Sequence, residues 1–401
     1  MNLLLRNALV LDVVSGEYSE GDLRCADGRV VEAGPGLRAP SGVRVIDVAG
    51  GYVVPGLIDA HVHVTALTAD LGALGAMSPS YVAAHSARIM GEMLGRGFTT
   101  VRDVSGADHG LADAQAEGLI RGPRLLFCGK GLSQTGGHAD FRGRGEHLSD
   151  DHPCCAGVGR VADGVDAVRV AARDELRKGA HHIKVMASGG VASPTDRIDS
   201  TQYSMEELRA VVEEARAANR YVAAHAYTAR AVNRALEAGV RSIEHGNLID
   251  DHSVELFREH DAFLVPTLVT YWALKEEGRA FGLPEASWRK VDEVLEAGLV
   301  ALERAARGGV RLAYGTDLLG GMHRHQNHEF RLRREVQEPI AVLRAATVGA
   351  AELAGMAGEI GTLEVGAHAD LLVLDGDPLE DIGVLADPKH LRHVIQAGVV
   401  S

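Results

Sequence analysis

Aromatic residues make up only 4% of this chain, cysteines number four, and acid exceeds base enough to leave a formal net charge of -14. Each of these limits narrows the reading. The acidic balance argues against nucleic acid or an anionic membrane as a main partner. Cys25, Cys128, Cys154 and Cys155 show no disulfide framework; the last two are neighbours in a DHPCC loop, an awkward pair to bridge to each other. That usage points to a reducing, cytoplasmic compartment. No apolar run is long enough for a transmembrane helix. The opening MNLLLRNALVLDVV is broken by Arg6, Asn7 and Asp12 and reads as a strand, so no secretory leader is expected.

What is present is ample core-forming material: 401 residues, 46% of them hydrophobic, enough for one large barrel and a smaller domain. Residues 1–54 look all-β, with Asp27-Gly28 as a hairpin turn. Residues 360–401 have the same texture. Neither end holds enough apolar surface for a core of its own, so the two are expected to join as one small β-sandwich domain. Between them, over 55–359, strands alternate with helices. Eight strand candidates stand out: VVPGLIDAHVHV, GFTTVRDVS, PRLLFCG, HHIKVMAS, YVAAHAY, RSIEHGN, AFLVPTL and RLAYGTD. Ser204 with Glu207 forms a capping box ahead of one helix, and Asp163 is the expected N-cap of another. The fold class is therefore α/β, a (β/α)8 TIM-like barrel, which places chemistry at the C-terminal ends of its strands. An open doubly wound sheet fits less well, because no Gly-rich phosphate loop follows its first strand.

The strand ends carry the chemistry. His61 and His63 lie two apart and face the same way on a strand. Lys184 sits in HHIKVMASGG, His225 in YVAAHAY, His245 in SIEHGN and Asp317 in RLAYGTD. Neutral imidazole and carboxylate suit zinc-like ions, and two divalent ions sharing a hydroxide would account for the whole set. Lys184 is the difficulty, since an ammonium cannot bind a cation. Carboxylation by CO2 would turn it into an anionic group able to bridge two metals, and burial beside cations eases the loss of its proton. Taken alone, Lys184 reads as one half of a structural ion pair.

These motifs, with the closing GEIGTLEVGAHADLLVLDGDPL, resemble the amidohydrolase superfamily over essentially the whole chain. GGVASPTDRIDSTQYSMEEL, VAAHAYTARAV, SIEHGNLID, VPTLVTYWAL and TDLLGGMHRHQNHEF are similar to its branch of metal-dependent Xaa-Pro and Xaa-Arg/Lys dipeptidases and ochratoxin-type amidases. The resemblance implies that His61, His63 and Asp317 hold the more buried of two zinc ions and His225 and His245 the second, with carboxylated Lys184 between them. It also implies a large homo-oligomer, an octamer being one form, and a dipeptide or other small-molecule substrate.

In that reading Asp317 shuttles the proton from the attacking water to the leaving amine. Tyr227, on the His225 strand face, and His138, in TGGHAD, are candidates to hold the oxyanion. A rim tyrosine and a solvated loop histidine are the plainer accounts of the same residues. Arg142, Arg144, Arg197 and His323 are candidates for the substrate carboxylate, with Arg197 and His323 put first. His152, Cys154 and Cys155 are metal-ligating types close together, though a polar loop explains them. Two other functions compete: a mononuclear amidohydrolase deaminating or opening a heterocycle, which Lys184 argues against, and a non-catalytic scaffold barrel, which the intact ligand set argues against.

Overall fold

The structure, a computed structural model, describes residues 2–146, 156–193 and 195–401. The chain ends meet in one sheet of eight strands. Strand Tyr52–Pro55 lies at its centre, parallel to Leu3–Asp12 and antiparallel to Leu371–Leu374. Leu3, Leu23, Val53, Leu371 and Ile395 share one buried cluster, so neither end closes a core without the other. The Asp27-Gly28 turn forms as expected. Asp27 has φ 50 and Gly28 φ 76, and they join Glu17–Ala26 to Arg29–Gly34.

The segment VVPGLIDAHVHV, expected as one strand, is two. Tyr52–Pro55 belongs to the terminal sheet and Leu57–Val62 to the parallel system. Gly56 separates them, donating to Asp370 O at 2.8 Å. A Cβ there would fall 2.2 Å from Thr99 Oγ1, so no other residue fits this crossing without displacing Thr99.

The remaining strands pair in parallel in two ladders. One orders Leu57–Val62, Phe98–Asp103 and Arg124–Leu126. The other runs Gly159–Val161, Gly131–Ser133, Ile183–Met186, Val222–Thr228, Ser242–Leu248, Phe263–Val265 and Arg311–Leu312. Two of these, Gly131–Ser133 and Gly159–Val161, lie outside the eight strand candidates. The ladders break where strands are only two or three residues long, too short to sustain continuous pairing. Backbone bonds cross the breaks: Ala60 N–H to Tyr314 O at 2.7 Å and Asp317 N–H to His61 O at 2.8 Å at one, and His181 N–H to Phe127 O at 2.8 Å at the other.

Helices alternate with these strands. Met205–Ala217 starts with the expected capping box, Ser204 accepting from Glu207 N–H and Glu207 accepting from Ser204 N–H. Val165–Arg177 is capped differently from the expectation. Gly164 with φ 84 is the N-cap, because the Asp163 carboxylate is taken by Thr135 at 2.6 Å and 2.9 Å. No helix among the described residues is long and apolar enough to cross a membrane.

Candidate metal centre and active site

Parallel register assembles the site. Lys184 lies opposite Ala223, and Met186 opposite His225. His225 in turn lies opposite Glu244. Lys184, His225 and Glu244 therefore face one side, since side chains alternate with period two. Alternation alone would send His245 the other way. Its backbone turns left-handed instead, at φ 76, and its ring centre lies 4.6 Å from that of His225 and 5.1 Å from that of His61. Thr267 at φ 43 and Asp317 at φ 53 follow the same pattern on the next two strands. Such conformations cost of order 1–3 kcal/mol each and cluster at functional sites.

The four histidines share a further property. Each has one ring nitrogen held by an oxygen: His61 Nδ1 by Glu244 at 2.7 Å, His63 Nδ1 by Ser105 O at 2.8 Å, His225 Nε2 by Gly189 O at 3.1 Å, and His245 Nδ1 by Thr267 Oγ1 at 2.8 Å. The other nitrogen of each is left for a ligand, the arrangement by which proteins fix metal-binding imidazoles. Burial pushes His225 and His245 well below the ordinary imidazole range, so they are neutral and able to coordinate. Asp317 Oδ1 lies 3.3 Å from His61 Nε2 and 3.1 Å from His63 Nε2. His61, His245 and Asp317 offer ligand atoms all within 4.8 Å of one another. The donor set fits divalent cations.

Lys184 is 2% exposed and makes no ion pair with any described residue. Burial lowers its pKa, and Glu244 and Asp317 offset that only in part. Tyr227 is buried, and burial raises its pKa so that it stays a protonated phenol. Tyr271 donates to its oxygen at 3.1 Å, which leaves the Tyr227 proton for the cavity. His138 stacks on His225 with ring centres 4.1 Å apart. Its Nδ1 lies 2.8 Å from Ser193 Oγ, which in turn bonds Asp196. Burial takes His138 down to about 4, so the neutral ring prevails near pH 7. Gly190 serves this packing: a Cβ on it would lie 2.1 Å from the His138 ring.

The cavity these groups line is otherwise apolar, walled by Leu71, Phe141, Val191, Leu274 and Leu319. No arginine is among its described lining residues. Arg197, expected to bind substrate, points outward and pairs with Asp199 at 2.9 Å. Arg142 is paired with Asp140. In both cases a carboxylate two residues away in sequence captures the guanidinium. His323 is buried, but its Nε2 bonds Ala66 O at 3.1 Å, because the turn Gly320–His325 directs it inward and away from the cavity. His325 and His328 pack on Trp272. His152, Cys154 and Cys155 lie outside the described residues; Cys25 and Cys128 are buried free thiols.

The sequence reading missed a buried brace under the centre. Glu244 accepts from His61, from Arg102 Nη2 at 2.7 Å and from Ser242, while Arg102 also donates to Ala60 O at 2.5 Å. Asp59 accepts from His61 N–H, Thr316 and Gln326. Both acids stood beside ligands in the motifs DAHVH and SIEHGN, at positions that alternation puts on the inner side. Replacing Glu244 by alanine leaves the Arg102 guanidinium buried and unpaired. The expected loss is about 3–5 kcal/mol of stability, read from denaturant midpoints at fixed metal concentration. A midpoint equal to the parent's would remove Glu244 from the brace.

Comparison with known proteins agrees with this geometry. The amidohydrolase family profile matches residues 52–400. An ochratoxinase of Aspergillus niger is 36% identical over 360 residues, covering 86% of this chain and 75% of that protein. A prolidase solved with N-methylphosphonate-L-proline is 49% identical with TM-score 0.97, covering 100% of this chain and 99% of the other. A Xaa-Pro dipeptidase with methionine in its active site is 28% identical with TM-score 0.89, covering both chains fully at 100%.

Proposed function

This chain belongs to the amidohydrolase family and is a hydrolase of carbon–nitrogen bonds, and from that premise we propose that it cleaves the amide of Xaa-Pro-type dipeptides or N-acyl amino acids. The observation that carries the reading is the set of four histidines, each pinned through one nitrogen, beside Asp317 and an unpaired buried Lys184. His61, His63 and Asp317 would hold one divalent ion and His225 and His245 a second, zinc being the expected metal, with carboxylated Lys184 between them. When bound, the ions would supply Lewis acidity to the scissile carbonyl and acidify the attacking water. Asp317 takes the proton of that water and returns it to the departing amine nitrogen. Tyr227 donates to the carbonyl oxygen as charge develops there. His138, neutral and with Nδ1 2.8 Å from Ser193 Oγ, donates to the same oxygen in the tautomer that carries its proton on Nε2.

The framework for this chemistry is read as a (β/α)8 barrel over 55–359, closed along the backbone bonds that join the two ladders, with 1–54 and 360–401 as one composite β domain. The walls choose among substrates. Leucine and phenylalanine side chains suit an apolar residue or acyl group. An arginine or lysine side chain would find no carboxylate among the described lining residues except Asp317. Burying an unpaired charge is costly. Leu71, Phe141 and Leu274 flank the space over the catalytic groups and bound what a substrate can place there.

A dipeptide and N-acyl amino acid panel tests the reading. An apolar Xaa-Pro or N-acyl substrate should exceed the matched Xaa-Arg substrate in kcat/KM by about tenfold or more. Preference for Xaa-Arg or Xaa-Lys would overturn the substrate assignment. Robust deamination of a heterocycle, with no amide cleaved, would overturn the function.

A further inference from the structure

A second cavity lies away from the histidines. It has a volume of about 510 Å3 and lies where the terminal sheet meets the parallel system. That falls within the usual range for small-molecule sites, roughly 300–1,000 Å3. Its floor is apolar, made by Leu372, Leu374, Leu391 and Val394. Its rim is basic: Arg96, Arg121, Arg324, Arg331 and Arg392 all line it, against the carboxylates of Asp387 and Ser401. In a chain of net charge -14 this is a local reversal of sign.

The pairing of those charges matters more than their number. Glu277 neutralises Arg324, Asp375 lies 3.3 Å from Arg392, and Asp387 is itself taken by Lys389 at 2.7 Å. Arg96, Arg121 and Arg331 have no carboxylate partner among the described residues. Arg96 Nη2 is buried with no hydrogen-bond partner, as is Asn327 Oδ1 beside it. A lining guanidinium without a carboxylate partner favours an anion, because a charge-assisted contact stabilises both groups.

We propose that this cavity binds a small organic anion, a carboxylate or phosphate carried on an apolar body, with Arg96, Arg121 and Arg331 holding the charged group and the leucine floor taking the rest. The site is wired to the catalytic strand. Arg96 Nε donates to Gln326 Oε1 at 3.1 Å, Gln326 Nε2 to Asp59 Oδ2 at 2.9 Å, and Asp59 Oδ1 accepts from His61 N–H at 3.0 Å. An anion that draws on Arg96 therefore acts on the segment that positions His61.

Calorimetric titration of the full-length metallated protein tests this, with phenyl phosphate and 3-phenylpropionate as the two anionic probes and 3-phenylpropan-1-ol as the neutral one. One equivalent of at least one anion should bind, the tighter of the two naming the headgroup. The alcohol should bind far more weakly. The exposed pair Arg121→Ala with Arg331→Ala should weaken anion binding by about tenfold or more, with dipeptide turnover in anion-free buffer unchanged. Equal affinity in parent and variant would place the anion elsewhere, the metal centre included, and overturn the proposal. So would alcohol binding as tight as the acid, or no binding of either anion up to about 10 mM, a bound of roughly 3 kcal/mol.

Discussion

Replacing Lys184 by alanine should strip the protein of bound metal and lower kcat/KM by at least about a thousandfold, since several kcal/mol of metal stabilisation convert at 1.36 kcal/mol per decade. The expectation follows from an amine that is buried, lowered in basicity by that burial, and without an ion-pair partner among the described residues. An ordinary lysine in this position would be an uncompensated buried charge. A carbamate would remove the contradiction and would supply an anion between the histidine pairs. Elemental analysis of the parent, purified without chelator, should give close to two zinc-like ions per chain, and that of the variant fewer than one. Short carboxylic acids such as propionate should restore part of the activity by occupying the space the side chain leaves. A variant that keeps both ions and parental turnover would show that Lys184 is structural.

The second large effect concerns Tyr227. Its phenol is held protonated by burial, and its oxygen accepts from Tyr271, so its own proton is free to meet a developing oxyanion. Loss of one such donor typically costs about a hundred- to a thousandfold in turnover. Tyr227→Phe should show that loss in kcat with metal content and fold unchanged, because the ring still packs against His245 at 5.2 Å. The split between kcat and KM is informative. A transition-state donor lowers kcat and kcat/KM together, whereas a residue that only shapes the cavity raises KM. Turnover within a factor of about two of the parent would take Tyr227 out of the mechanism.

Both expectations rest on residues visible in the sequence, but what makes them testable came from packing. Lys184 alone reads as one half of an ion pair, and what argues against that is that no carboxylate among the described residues pairs with it. Tyr227 alone could be a rim tyrosine. Its burial and the direction of the Tyr271 bond depend on a helix, Leu268–Glu277, that lies over 40 residues further along the chain. The carboxylate-binding candidates failed to reach the cavity for a local reason that was open to sequence reading. Arg197 and Arg142 each have an aspartate two residues away, and an exposed guanidinium meets its nearest acid before it meets a distant cleft.

Short-range rules were enough to put His61 and His63 on one side of a strand, to start Met205–Ala217 at a capping box, and to bring both chain ends into one sheet, since each depends on side-chain alternation, a cap or a shortage of apolar surface readable over a few residues. Long-range packing chose the rest. It turned His245 inward through a left-handed backbone that alternation would not allow, selected which nitrogen of each histidine is held, and buried Arg102 against Glu244 across 142 residues of chain. Those outcomes are fixed by partners brought close only when the parallel strands come into register, and by strain the assembled core can sustain, so no window of sequence contains them.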